Sequence, residues 1–143
     1  MNHAIRRIVL SSGVVTTIVG SLGNSGSTNG VGTAATLNNP TAVSLDSRGI
    51  FALVVRAVGG WLCGRHRSTC FFVWLSLYYN LQADNSNHAI RYINISSSTL
   101  ISFAGSIGNS GTANGVGSTA GFFLPSGVSV DFSGTFALVV SEQ

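Results

Sequence analysis

One internal repeat governs this chain. Sliding the sequence by 85 positions lays residues 2–54 on residues 87–139 without a gap, and 28 of the 53 aligned pairs are identical. "NHAIR" begins at Asn2 and again at Asn87, and "GSLGNSGSTNGVG" from Gly20 matches "GSIGNSGTANGVG" from Gly105. "FALVV" occurs from Phe51 and from Phe136; Pro40 aligns with Pro125, and Asp46 with Asp131. A unit of this size cannot bury both its faces alone, so it stacks on neighbours.

The two copies leave 32 positions between them, of which Ala83-Asp84-Asn85-Ser86 reads as part of the second motif. The other 28 are residues 55–82, and past Val55, the last residue of "FALVV", they have no counterpart. They contain both Cys, both Trp, two of the three Tyr and three Arg (Arg56, Arg65, Arg67), with no acid. The chain therefore divides into a first copy (2–54), an unrelated insertion (55–82), a second copy (83–139) and a short tail (140–143). A translated intron would look like the insertion. Val55 can be encoded by a GT-initial codon, residues 71–79 by a pyrimidine-rich tract, and Gln82 by CAG.

The insertion also explains the charge. The chain carries a net +3, a balance that can indicate nucleic-acid binding. Outside 55–82, however, four Arg (Arg6, Arg7, Arg48, Arg91) face four acids (Asp46, Asp84, Asp131, Glu142). No basic face remains to displace counterions from phosphates, so no nucleic-acid partner is expected. The most apolar window, residues 71–81, is too short to span a bilayer. No apolar run follows Arg6-Arg7, so no secretory leader is expected either.

The apolar pattern is that of strands. Residues 41–46, "TAVSLD", alternate with the period of a half-buried strand. Residues 50–54, "IFALV", form a short continuous apolar run, as in a strand buried on both faces. Residues 89–95 and 99–105 are rich in β-branched side chains. Turn residues separate them, and no segment keeps a helical period. Four short antiparallel strands and a Gly-rich loop make up the unit, as in a propeller blade or another stacked β architecture.

These residues resemble the NHL-repeat family of β-propellers. The resemblance rests on Pro125-Ser-Gly-Val-Ser-Val-Asp131-x-x-Gly134-x-x-Ala-Leu-Val, joined to Ala83-Asp84-x-x-Asn87-His88-x-Ile90-Arg91. The loop Gly105-x-x-Gly108-x-x-Gly111-x-x-x-Gly115-x-Gly117-x-x-Ala120-x-Phe122-x-x-Pro125 is similar to the long inter-blade loops of that family. It extends over all of the chain but the insertion and the last few residues. It implies an all-β, partial β-propeller of four-stranded antiparallel blades. This chain would hold one full blade, interrupted by the insertion, and two half-blades. It further implies structural roles for Asn2, His3 and Arg6 in one copy and for Asp84, Asn87, His88 and Arg91 in the other. Asp84, Asn87 and Arg91 would form a polar network that pins the blade. Asp84 has no partner in the first copy, which begins at Asn2.

Several residues invite a chemical reading. His3 and His88 could ligate a metal or move a proton, but a turn residue bonded to backbone is the expected role. Asp46 and Asp131 end strands, where Asp caps turns; one Asp per turn is too few for calcium. Gly30-Val-Gly32-x-x-Ala35 and Gly115-Val-Gly117-x-x-Ala120 mimic a dinucleotide fingerprint but lack its flanking strand, helix and acid. Asn29-Gly30 and Asn114-Gly115 read instead as tight turns. Cys63-x-x-His66-x-x-x-Cys70 offers three zinc ligands where a closed site needs four, or a disulfide in an oxidising compartment. Asn94-Ile-Ser96 is a glycosylation sequon. No catalytic, cofactor or metal site is expected, and no cofactor.

The expected function is a non-enzymatic binding or scaffold module with a protein partner or neighbouring blades. The alternatives are a piece of a propeller lyase or lactonase, which needs a metal held from several blades, or a non-functional truncated gene product. Left exposed, blade-facing residues such as Val43, Leu45, Leu53, Ile90 and Ile93 would each forfeit about 1.5–3 kcal/mol. A homo-oligomer in which the two half-blades complete each other across subunits, closing a ring, would bury them.

Overall fold

A computed structural model of the chain describes residues 2–44, 52–54, 80–131 and 134–142. The described residues are all-β, with antiparallel pairing throughout and no α-helix. The first sheet has the order β2-β1-β5, from β1 (Ala4–Ile8), β2 (Val15–Gly20) and β5 (Ala52–Val54). The central sheet has the order β3-β8-β7-β6-β4. It combines β3 (Gly30–Val31), β4 (Pro40–Ser44), β6 (Leu81–Asp84), β7 (Ala89–Asn94) and β8 (Thr99–Ala104). The third pairs β9 (Gly127–Val130) with β10 (Ala137–Val140).

Two apolar layers hold the sheets face to face. Ile5, Ile18 and Val19 of the first sheet and Ala35 and Leu37 of the following loop meet Ile93 and Leu100 of the central sheet. Leu81, Ala83, Ile90 and Tyr92 on its opposite face meet Val128, Val130, Ala137 and Val139 of the third. The alternation along β7 sends Ile90 and Tyr92 one way and Ile93 the other, because successive strand residues face opposite sides. Both faces of the central sheet thus carry a buried apolar cluster, while Ile101 and Phe103 of β8 stay 43% and 45% exposed.

The copies fold alike in detail. Each has a β-bulge at the same place, Ile5/Arg6 and Ile90/Arg91. Gly20 and Gly105 both have φ near +97°. A Cβ on Gly20 would stand 2.5 Å from the His3 carbonyl oxygen, and one on Gly105 2.6 Å from that of His88. Only glycine fits such a positive-φ, close-approach position.

Two expectations change, and another falls outside the described side chains. The run at residues 52–54 does not become the second strand of the central sheet; β5 pairs with β1, Val54 opposite Arg6 and Leu53 opposite Arg7. The second-strand position is taken by β6, Gln82 opposite Arg91 and Leu81 opposite Tyr92. Under the 85-residue shift Arg6 corresponds to Arg91, so Val54 and Gln82 occupy one structural position. The break drawn between residues 82 and 83 therefore falls inside a strand. Leu81 and Gln82 are buried there, because an unpaired β7 would leave its backbone polar groups unsatisfied. The rest of the insertion up to residue 79, with the expectations placed on it, lies outside the described residues. Secondly, the burial expected of residues 50–54 falls on side chains outside the described ones; in the matching run of the second copy, Leu138 and Val140 are 69% and 64% exposed, with no described residue covering that face. Thirdly, Gly30-Val31 is more than a tight turn. It adds as β3 to the edge of β8, Gly30 opposite Leu100 and Val31 opposite Thr99.

Candidate functional site: a buried polar pin between sheets

Asp84 ends β6, and Asn87 closes the one-turn 3-10 helix that follows. His88 then turns the chain in a left-handed conformation, φ 55°, into β7, which carries Arg91. This tight return brings Arg91 alongside Asp84. Arg91 Nη1 donates to Asp84 Oδ2 at 2.8 Å, with both side chains fully buried. Asn87 Nδ2 donates to the same Asp84 oxygen at 2.9 Å.

The remaining bonds reach a different part of the chain. The Asn38 amide donates to Asp84 Oδ1 at 2.7 Å, Asn87 Nδ2 donates to the Gly26 carbonyl at 2.7 Å, and Arg91 Nη2 donates to Asn29 Oδ1 at 2.7 Å. Gly26, Asn29 and Asn38 all lie in the long loop that crosses from the first sheet to the central one. The network thus pins that loop to the central sheet, a role in which buried polar groups specify one geometry, although Arg91 Nε is buried without a partner. Burial raises the Asp84 pKa from its ordinary 3.8, against the pull of Asn87, the Asn38 amide and the Arg91 charge. Burial lowers that of Arg91, and Asp84 opposes the shift.

The histidines hold the repeat-equivalent loop ends. His3 Nδ1 accepts the Asn39 amide and His88 Nδ1 the Leu124 amide, each at 3.1 Å. Asn39 and Leu124 precede Pro40 and Pro125 and have φ of 53° and 44°. The imidazoles satisfy the amides of two unusual backbone positions. His88 also stacks on Phe123, centroids 5.7 Å apart.

The other sequence candidates are dispersed. Asn2 is exposed, whereas its equivalent Asn87 is buried. Arg6 is half-buried and its Nε has no protein partner. Asp131 Oδ1 accepts the amides of Thr135 and Phe136, capping its turn. Asp46 lies outside the described residues, as do Cys63, His66 and Cys70. Pro40 opens β4, and the Pro125 carbonyl accepts bonds from Thr41 Oγ1 and Asn85 Nδ2. The sequon Asn94 folds its Oδ1 onto the Ser96 hydroxyl and the Ser97 amide. Among the described residues no group of three or more His, Cys, Asp or Glu could hold a metal ion, and no helix is long and apolar enough to cross a membrane.

Sequence reasoning missed Asn29 and Asn38 as partners of the pin. The recurrence of Asn29-Gly30 as Asn114-Gly115 was the available signal for the first. Asn38 contributes only its backbone, so no side-chain signal exists. Gln82 was also missed; it is fully buried beside Arg91 and its Nε2 donates to the Ala83 carbonyl.

Neither a family model nor a curated protein sequence matches this chain. Solved structures do. It is similar to an auxiliary nutrient binding protein from Bacteroides thetaiotaomicron (TM-score 0.64, 19% identity, 96% of this chain and 30% of that one). An auxiliary nutrient binding protein from Bacteroides ovatus is similar too (0.65, 18%, 96% and 30%). So is a protein provisionally described as a phosphatase from Bacteroides thetaiotaomicron (0.61, 21%, 99% and 31%). At these identities the likeness is one of fold. The chain spans about a third of the length of each.

Proposed function

We propose that this chain is a non-enzymatic binding or scaffold module, a run of blades from an NHL-type β-propeller that contacts a protein partner through its loops. One observation carries the reading: the polar side chains best suited to chemistry are turned inward. Asp84, Asn87, Arg91, His3 and His88 all bond to each other or to loop backbone and loop side chains. The face-to-face stacking of sheets in repeat register supports the propeller. The names of two structural neighbours, nutrient binding proteins, agree with a binding role, and the third leaves a hydrolase as the competing reading.

Two measurements test it. The full chain should hydrolyse an aryl phosphate no faster than buffer does; turnover that Asp84→Asn abolishes would overturn the non-enzymatic reading. Three tandem copies lacking residues 55–82 should unfold as one unit and scatter X-rays as a closed disc. An extended rod would overturn the propeller.

A further inference from the structure

The 85-residue shift can be applied to contacts as well as to residues. Inside the chain, the loop after β2 seats Gly30-Val31 on β8, and the Gly32 amide donates to the Ser98 carbonyl. The loop after β8 repeats that sequence as Gly115-Val116-Gly117, but these residues pair with no described strand, and Val116 is 88% exposed where Val31 is 58%. At the other end, Val14 and Val15 of the first copy correspond to Thr99 and Leu100. Leu100 is fully buried, while Val15 is 40% exposed. The chain therefore presents both parts of a joint it already makes once internally. Gly115 belongs opposite Val15 of another copy, and Val116 opposite Val14.

The strands agree with this. Shifted by the repeat, the β6–β7 pairing places Leu138 of β10 opposite Arg7 of a second copy, and Val139 opposite Arg6. That edge of β1 is already taken. Val54 stands opposite Arg6 and Leu53 opposite Arg7, and "ALV" of β5 is the same sequence as "ALV" of β10. β5 sits where the incoming strand of another copy would sit.

We propose that the chain holds a head-to-tail interface for a second copy of itself, formed by β10 and Gly115-Val116 on one copy and by β1 and Val14-Val15 on the next. β5 is an internal plug in that interface. An unpaired strand edge is a template for another chain, and a heterologous contact of this kind grows into rings or filaments once it is open. The plug exists because the insertion supplies Leu81-Gln82 to the central sheet, which frees residues 52–54 for β1. The inference concerns self-assembly and is independent of what the module binds.

Sedimentation velocity on the full chain tests it. The full chain should remain a single-chain species over a concentration series. Ala52→Pro with Leu53→Pro should release the plug, because neighbouring strand amides point to opposite sides and one of the two must face β1. Deleting residues 55–82 should release it independently, by rejoining Val54 to Ala83. Each released form should show a weight-average mass that climbs with concentration. Adding Leu138→Lys and Val140→Lys, at positions exposed in the single chain, should return each to the single-chain mass. A full chain that assembles as readily as the released forms overturns the proposal. So does a deletion form that stays single, or assembly indifferent to the two lysines. If circular dichroism shows the double-proline form unfolded, the deletion form alone decides.

Discussion

Asp84 and Arg91 form an ion pair with no solvent access to either side chain. Removing one partner strands the other charge in the interior, which costs about 3–5 kcal/mol. Asp84→Ala should therefore lower the urea midpoint sharply, enough to unfold a marginal domain. Asp84→Asn keeps the shape and an acceptor oxygen for the Asn38 amide, and should cost less. Glu142→Ala, away from the pin, should stay within about 0.5 kcal/mol of the parent chain. Equal effects of all three would remove the pin from any structural role.

The same carboxyl sets a pH dependence. Desolvation raises its folded pKa above 3.8. A raised folded value means that the folded chain holds this proton more tightly than the unfolded one. The stability it contributes is fully present below the unfolded value and is lost as pH rises through the folded value. Denaturation of the parent and of Asp84→Asn, compared across that window, should show a falling component only in the parent. An unchanged difference between the two would contradict the shift.

The repeat alone does not reveal the pin, because Asp84 has no counterpart in the first copy; the resemblance to NHL repeats implies it, and Asp84, Asn87 and Arg91 do form one hydrogen-bonded network. The matching bulges and the matched His3 and His88 bonds, by contrast, fall at aligned residues of the two copies. The location of β5 does not follow. Alignment equates residues 52–54 with 137–139, and β10 does pair with its β9. Two segments, 52–54 and 81–82, compete for one place beside β7, and the loser fills a second vacant edge. Such a competition is decided by tertiary packing, and local pattern carries no record of it. Asn29 was hidden differently, because a turn-forming Asn-Gly pair gives no sign that the Asn oxygen also receives a distant guanidinium.

His88 and His3 should both be Nε2–H tautomers when neutral. An Nδ1 that accepts a backbone amide cannot carry a proton there. Long-range proton–nitrogen spectra distinguish the tautomers directly, and an Nδ1–H signal for either ring would contradict the bonds to Asn39 and Leu124. His88→Ala should cost about 1 kcal/mol for the amide left half-buried and unpaired, and somewhat more as the stack on Phe123 is lost.

Gly105 and Gly108 separate crowding from backbone strain. Both have positive φ, 97° and 77°. A Cβ on Gly108 meets open space, whereas one on Gly105 comes within 2.6 Å of the His88 carbonyl oxygen and 3.0 Å of the Ala89 Cα. Gly108→Ala should cost about 1–2 kcal/mol from the backbone alone. Gly105→Ala adds a clash with backbone that cannot move without opening the β7–β8 ladder, and should cost clearly more. Thermal unfolding of the two variants checks the order; equal losses would mean that the close approach is easily relieved.

Residues 55–82 should correspond to an intron that has been read through. The first copy is uninterrupted up to Val54, and the second motif resumes at Ala83 in the same reading frame. Structural register reinforces the point, since Val54 and Gln82 stand at one position relative to Arg6 and Arg91. Joining Val54 to Ala83 would therefore give one continuous strand beside β7, with Leu53 and Val54 where Leu81 and Gln82 now lie. The substitution is also chemically apt: an apolar Val would replace Gln82, whose Oε1 is buried without a partner and so costs about 1–3 kcal/mol. The gene should carry GT at the start of codon 55 and AG at the end of codon 82, and transcripts lacking those codons should be found. Genomic sequence without these dinucleotides, with every transcript retaining the 28 codons, would make the insertion a genuine part of the protein.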